Sequence, residues 1–156
     1  MAPLSRAVAT ATGRRFKRSR AAGLRRSRQP LVKGPDSNWA VPWHQDRVVC
    51  VRRPADIEGF SGWTKKAGLH HANAPQSVLQ EMVALRLYLD DSSAEGGPLE
   101  VVPGTHETLL TEQDVQGATA AAMVLAARAG SILLMRPLLL HRSAPKPPRA
   151  RAAFCT

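Results

Sequence analysis

The chain has 156 residues and a hydrophobic content of 44%, a length and composition typical of one globular domain. Its only cysteines, Cys50 and Cys155, are far apart, which excludes a disulfide-rich scaffold and a zinc site of closely spaced cysteines. The net charge of +10 would favour nucleic-acid binding if it were spread over the fold, but residues 1–35 hold ten basic side chains and no acidic one. The remainder has 12 residues of each sign, so we expect its folded part to be neutral.

The first predicted element is a basic N-terminal segment, residues 1–32. It is rich in Ala, Ser and Arg, and it cannot bury enough apolar surface to offset the entropy of ordering, so we expect disorder. Three interpretations stay open: a mitochondrial transit peptide, a nucleic-acid-binding arm, and non-native sequence from a misplaced start upstream of a truncated gene, which we favour. There is no secretory apolar core and no run of 18 apolar residues, so we expect a cytoplasmic protein, or a mitochondrial one if the segment is a transit peptide.

The next element is an extended segment over residues 39–51, which carries the sequence His44-Gln45-Asp46. Successive side chains of a strand point to opposite faces, so His44 and Asp46 can bind the same metal ion while Gln45 points away. Alone, such a pair is more often a surface pair or a satisfied hydrogen bond than a metal site. A further imidazole from a distant strand would complete the two-histidine, one-carboxylate triad of non-haem Fe(II) oxygenases, and His141 is our candidate.

Further along, the pattern is mainly one of short strands. Residues 55–74 read as a long glycine-marked loop and residues 75–82 as a short helix. Residues 83–89 alternate as a strand does, with Val83, Leu85, Leu87 and Leu89 on one face and Ala84, Arg86 and Tyr88 on the other. Arg86 either faces the interior and meets an anion or emerges at an edge. Residues 99–102 predict a strand, residues 118–129 are ambiguous between helix and strand, and residues 132–140 predict a buried strand with a break at Pro137.

Other motifs accompany the His-x-Asp pair. Asn-Trp and Pro-Trp precede it, Pro103-Gly104-Thr105-His106 follows, and the apolar stretch of residues 130–143 contains His141. Together they resemble the phytanoyl-CoA dioxygenase family of Fe(II)- and 2-oxoglutarate-dependent oxygenases, from about Lys33 to the C-terminus. The resemblance implies a mainly β fold, the double-stranded β-helix or jelly-roll, and favours a strand within residues 118–129. We count about five candidate strands against the eight of that fold, so we expect residues 33–156 to be an incomplete domain.

The resemblance also implies a set of site residues. They are His44, Asp46 and His141 as iron ligands and Arg151, Ser143 and Trp63 as residues that bind 2-oxoglutarate. Arg151 would form a salt bridge with the distal carboxylate of 2-oxoglutarate, although Arg149 competes for this role because the spacing from the distal histidine is about one residue short. His106 would fix its loop by hydrogen bonding.

The activity that the resemblance implies uses Fe(II), 2-oxoglutarate and O2. The cosubstrate would be decarboxylated to succinate and CO2 while a small organic substrate is hydroxylated. Two alternatives stay open: a truncated, non-catalytic remnant that binds metal or ligand, and a nucleic-acid-binding protein that acts through the basic arm. The latter explains none of the His, Asp and Pro-Gly motifs, so we expect a small-molecule substrate and neither a nucleic-acid nor a membrane partner.

Overall fold

The computed structural model describes residues 8–10 and 38–145 of the chain. Within these ranges the fold is mainly β, with ten strands, two short α-helices and three single turns of 3-10 helix. The strands are β1 (Val8–Thr10), β2 (Val41–His44), β3 (Val48–Val51), β4 (Ser61–Lys66), β5 (Leu69–Asn73), β6 (Ala84–Leu87), β7 (Leu99–Val101), β8 (Met123–Leu125), β9 (Ile132–Met135) and β10 (His141–Ser143). The helices are α1 (Gln76–Glu81) and α2 (Glu112–Ala118).

The described strands pair only antiparallel and form three sheets. Sheet I has the order β1-β9-β6, sheet II the order β2-β10-β7-β8, and sheet III the order β3-β5-β4. Antiparallel sheets of short strands are what a jelly-roll requires, so the predicted fold class is confirmed. The predicted number of strands is wrong, since the described residues hold ten rather than about five. Strands of three or four residues are too short to show a hydrophobic period in the sequence.

The main hydrophobic core lies between sheets I and II. Leu133 and Met135 of β9 pack against Leu99 and Val101 of β7, and Tyr88, the residue after β6, belongs to the same buried cluster. Burying an apolar side chain of this size stabilises the fold by about 1.5–3 kcal/mol. The cluster also identifies the inward face of each strand, because directly opposite residues of an antiparallel pair have their side chains on the same face.

A second buried cluster lies beneath sheet III. Val49 and Val51 of β3 pack there with Leu79 of α1 and with Leu138, and Trp63 of β4 packs against them half-buried. Leu138 lies in the segment between β9 and β10, whose three successive leucines are fully buried. The predicted strand of residues 132–140 is therefore shorter than expected: β9 ends at Met135, and the chain turns where the sequence predicted a break.

The predicted loop of residues 55–74 is wrong in its second half, where β4 and β5 form a hairpin. Ala67 and Gly68 join the two strands, and both have a positive φ, 47° and 77°. A two-residue hairpin turn of type I′ needs a positive φ at both central residues, which glycine adopts without steric cost. One of the glycines that suggested a loop therefore marks the turn itself, and His70 and His71 lie in β5.

The helix and strand predicted between residues 75 and 89 are confirmed as α1 and β6. The predicted alternation of β6 is also observed, but the apolar row is the one that faces outward. Its members are 51% to 75% exposed: Val83, Leu85, Leu87 and Leu89. The opposite row faces the core, since Tyr88 is only 8% exposed.

The segment before β8 contains a helix that the sequence did not reveal. α2 begins after Thr111, whose side chain accepts a hydrogen bond from the Asp114 backbone N–H while the Asp114 side chain accepts one from the Thr111 backbone. This reciprocal capping satisfies two N–H groups at the start of the helix. Residues 118–129, which the sequence left ambiguous between helix and strand, contain both. Ala118 ends α2 and Thr119–Ala121 form a 3-10 turn, whereas Met123–Leu125 form the strand that the resemblance implied.

The structure describes only three residues of the predicted N-terminal segment, β1, which pairs with β9 at the edge of sheet I. The other residues of that segment lie outside the described ranges, so the predicted boundary between residues 1–32 and 33–156 stays a prediction. No helix in the described ranges has the length and apolar character needed to cross a membrane.

Candidate metal centre

Three side chains predicted to share a metal ion meet at the junction of β2 and β10. β2 ends at His44 and β10 begins at His141, and these residues are directly opposite each other. Asp46 lies two residues beyond β2, held there by a hydrogen bond from its backbone N–H to the carbonyl of Pro137 (2.9 Å). Its two carboxylate oxygens lie 3.5 Å from His44 Nε2 and 3.9 Å from His141 Nε2. One ligand atom from each of the three residues lies within 4.8 Å of the others, close enough for one ion to bind all three.

Both imidazoles are oriented by the backbone in the same way. His44 Nδ1 lies 2.8 Å from the carbonyl oxygen of Pro42, and His141 Nδ1 lies 2.7 Å from that of Leu139, in each case two residues earlier. A carbonyl oxygen can only accept a hydrogen bond, so each Nδ1 carries a hydrogen and is the donor. The lone pair of each neutral ring is then on Nε2, the atom that faces Asp46. Fixing the tautomer through the other ring nitrogen is the usual support of a metal-binding histidine.

The pKa values of the three groups shift in directions that follow from their surroundings. The hydrogen bond with Asp46 raises the pKa of His44 against the effect of burial. Burial lowers the pKa of His141, which is 8% exposed, and so favours its neutral form. Burial acts to raise the pKa of Asp46, but the hydrogen bond to His44 and the charges of both imidazoles outweigh it, and the net shift is downward. The shifts of Asp46 and His141 favour the carboxylate and the neutral imidazole that bind a metal, whereas the raised pKa of His44 favours its protonated ring, so metal binding at His44 has to displace a proton.

Gln45, which lies between two of these residues in sequence, connects the strand to two distant segments, residues 105–110 and the segment of Leu138. Its amide nitrogen lies 3.1 Å from the carbonyl oxygen of Thr105, 2.8 Å from that of Thr108 and 2.6 Å from that of Leu138. Its amide oxygen accepts a hydrogen bond from the backbone N–H of Leu110 (2.9 Å). The side chain therefore points away from the triad, as predicted, but its role as a connector was not predicted.

The Pro-Gly-Thr-His segment is fixed by its threonine rather than by its histidine. Thr105 Oγ1 donates to the carbonyl of Val102 (2.7 Å) and accepts from the backbone N–H of Leu140 (2.9 Å), the residue before His141. His106 Nδ1 is buried and has no hydrogen-bond partner among the described residues. The prediction that His106 fixes the loop by hydrogen bonding is therefore wrong for this nitrogen, and the adjacent Thr105 makes the contacts instead.

Of the residues predicted to bind 2-oxoglutarate, the structure describes Ser143 and Trp63 but not the arginine. Ser143 is 5% exposed and lies two residues after His141 on β10, hence on the same face of sheet II. Trp63 packs into the second core cluster and stacks on Phe60, with ring centroids 6.2 Å apart. Arg151 and its competitor Arg149 lie outside the described residues. The binding roles of all these residues stay predictions.

A cavity of about 390 Å³ opens beside His44. Trp43 and Arg47 line it on the β2 side, and Leu110 and Val115, before and within α2, line the opposite wall. Of the triad only His44 lines this open depression, and Gln45, whose side chain points away from the triad, contributes to it as well. The wall formed by α2 has no buried residue of its own and depends on its capping interactions and on the Gln45 contact to Leu110.

The sequence matches a known protein family. A family model, phytanoyl-CoA dioxygenase, matches residues 6–152 and so includes His44-Gln45-Asp46, the Pro-Gly-Thr-His segment and His141. No curated protein and no solved structure matches the chain. The chain belongs to the phytanoyl-CoA dioxygenase family, whose oxygenase-type enzymes form part of the Fe(II)- and 2-oxoglutarate-type dioxygenase superfamily.

Proposed function

We propose that the protein is a non-haem Fe(II)- and 2-oxoglutarate-dependent dioxygenase that hydroxylates a small organic substrate. The observation that carries the proposal is the convergence of His44, Asp46 and His141, with ligand atoms within 4.8 Å of one another. Two imidazoles and one carboxylate are the donor set of this class of iron site, and they leave adjacent coordination positions open. The donor atoms fit the ion because both Nδ1 atoms are bonded to backbone carbonyls, which leaves both Nε2 atoms available.

Each residue of the site has a defined task in this proposal. His44, Asp46 and His141 would hold Fe(II), which with O2 supplies the oxidising chemistry that decarboxylates 2-oxoglutarate to succinate and CO2 and hydroxylates the substrate. Arg151 would hold the distal carboxylate of 2-oxoglutarate, because a guanidinium is permanently charged and can donate two parallel hydrogen bonds. Ser143 would assist it. Trp63 would line the cosubstrate pocket.

The test compares the wild type with His44→Ala and Asp46→Ala, with His70→Ala as a control histidine on β5. Anaerobic titration with Fe(II) and 2-oxoglutarate should give a visible metal-to-ligand charge-transfer band in the wild type and the control. Under air, both should produce succinate, and neither triad variant should do so. Succinate production at the wild-type rate by either triad variant would refute the proposal. If the wild type binds both ligands but produces no succinate, the non-catalytic binding protein is the correct description.

A further inference from the structure

Arg86 and Tyr88 extend from sheet I into the same interior that His141 faces from sheet II. Arg86 is directly opposite Leu133, a member of the main core cluster, so its side chain is on the inner face of sheet I. His141 is directly opposite Val101, another member of that cluster, so its ring is on the inner face of sheet II. The structure therefore decides the alternative that the sequence left open: Arg86 faces inward.

The two residues form a contact pair with unused hydrogen-bonding capacity. The Arg86 guanidinium carbon lies 5.4 Å from the centroid of the Tyr88 ring, which stabilises the cation through the ring face. Tyr88 is 8% exposed, and its buried hydroxyl has no hydrogen-bond partner among the residues that the structure describes. Burying a hydroxyl without a partner is unfavourable, so such a group calls for a ligand or a bound molecule.

The charge of Arg86 is also left without an acidic partner. Its guanidinium makes no ion pair with any other described residue, whereas Arg142, which follows His141 and points to the opposite face, binds Glu100 at 2.8 Å. Asp46 is engaged with the two histidines. The positive charge of Arg86 opposes the effect of burial, which raises the pKa of Tyr88. A guanidinium on this inward face with no acidic partner among the described residues is able to bind a carboxylate.

We propose that Arg86 and Tyr88 form a carboxylate-binding pair between sheets I and II, and that their ligand is a small organic acid whose other end lies at the metal triad. Guanidinium and phenol hydroxyl both donate hydrogen bonds to carboxylate oxygens. The inference rests on the proposed dioxygenase function and adds a binding site to it. Because Arg151 is assigned the distal carboxylate of 2-oxoglutarate, the carboxylate that Arg86 and Tyr88 bind belongs to an acidic primary substrate, and the experiment tests this against binding of the cosubstrate.

The experiment is isothermal titration calorimetry on the full chain. The variants are Arg86→Met, Arg86→Lys and Tyr88→Phe, with Arg52→Met as a control that removes the same charge from an exposed position. Each protein is titrated with Mn(II), then with 2-oxoglutarate, and the loaded protein is then titrated with hexanoate as a simple monocarboxylate. Loss of the bidentate cation should weaken acid binding about 10- to 100-fold in Arg86→Met, and loss of one neutral donor about 3- to 10-fold in Tyr88→Phe. Arg86→Lys should retain part of the affinity.

The outcomes separate the pair from the metal site. Weaker binding of hexanoate alone supports the pair as a site for an acidic substrate. Weaker binding of 2-oxoglutarate alone would contradict it and would move the cosubstrate role from Arg151 to Arg86. Mn(II) affinity should stay within about 2-fold in either case. Unchanged binding of both acids in folded Arg86→Met and Tyr88→Phe overturns the pair, as does a wild type that binds neither. If the wild type binds no Mn(II), the dioxygenase proposal fails separately, and the same acid titrations on the metal-free proteins decide the pair.

Discussion

Replacing Gln45 with leucine removes a side chain that joins the end of β2 to two distant segments of the chain. Three carbonyl oxygens, of Thr105, Thr108 and Leu138, surround its amide nitrogen, and the Leu110 N–H donates to its amide oxygen. Leucine has a similar volume but neither donates nor accepts a hydrogen bond. The variant therefore isolates the contribution of the Gln45 hydrogen bonds to the free energy of unfolding, because these backbone groups lose their partner.

The expected loss of stability follows from the number of bonds. An amide nitrogen has two hydrogens, so its three carbonyl contacts correspond to two full hydrogen bonds, one of them shared, and the amide oxygen makes a third. With about 1 kcal/mol for each bond and some added cost for half-buried carbonyls left unpaired, we expect Gln45→Leu to lower the free energy of unfolding by about 2–4 kcal/mol. That is a large fraction of the about 5–15 kcal/mol of a typical domain.

Urea unfolding followed by tryptophan fluorescence measures this loss, and Gln113→Leu is the matched control. Gln113 is an exposed glutamine of α2, and its replacement should change the free energy of unfolding by no more than about 0.5 kcal/mol. Gln45→Glu should destabilise at least as much as Gln45→Leu, because a carboxylate cannot donate to the three carbonyls. If Gln45→Leu unfolds at the urea concentration of the control, the connector role of Gln45 is wrong.

Further predictions concern Tyr88, Asp46 and the cap of α2. Tyr88 is the only tyrosine of the chain, so absorbance at alkaline pH reports on it alone; burial raises its pKa above the ordinary 10.0, and Arg86→Met should raise it further because the arginine charge lowers it. Because the pKa of Tyr88 is higher in the folded than in the unfolded state, its contribution to the free energy of unfolding is complete below pH 10.0 and is lost as the pH rises through the folded pKa. A tyrosine titration midpoint at the ordinary value in the native protein would contradict the burial of Tyr88. Asp46→Asn should weaken Mn(II) binding by more than about 100-fold in calorimetry, beyond the effect of losing an outer hydrogen-bond partner, and wild-type affinity would remove Asp46 from the ligand set. Thr111→Ala should lower the free energy of unfolding by about 1 kcal/mol in urea, and no change would mean that the α2 cap does not contribute.

The triad could be predicted from the sequence because two of its members obey a local rule. Residues i and i+2 of an extended chain share a face, which brought His44 and Asp46 together without any knowledge of the fold. The position of His141 needed the family resemblance, since nothing in the local sequence connects it with a strand almost a hundred residues earlier. The actual link is register: β10 pairs with β2 so that His141 is opposite His44.

The contacts that support the site could not be predicted, because they depend on how distant segments pack. The alternation of residues 83–89 predicted two faces correctly but could not tell which one is buried. Apolar content favoured the row with Leu85 and Leu87, yet the row with Arg86 and Tyr88 faces the core. The same holds for Gln45, whose partners are 60 to 93 residues away in the chain. In both cases the direction of a polar side chain is set by tertiary contacts that a hydrophobic pattern does not encode.

Pro42 gives one sequence signal of the site's geometry. Between the pairs His141 with His44 and Ser143 with Val41, β2 has one residue more than β10, so the register shifts there. Proline has no N–H to donate to a ladder and in sheets is confined to edges and bulges, which explains why the irregularity falls at this point. An extra residue bends its strand and redirects the adjacent side chains. The Pro42 carbonyl accepts a hydrogen bond from His44 Nδ1, so the residue that interrupts the ladder also fixes the ring that faces Asp46.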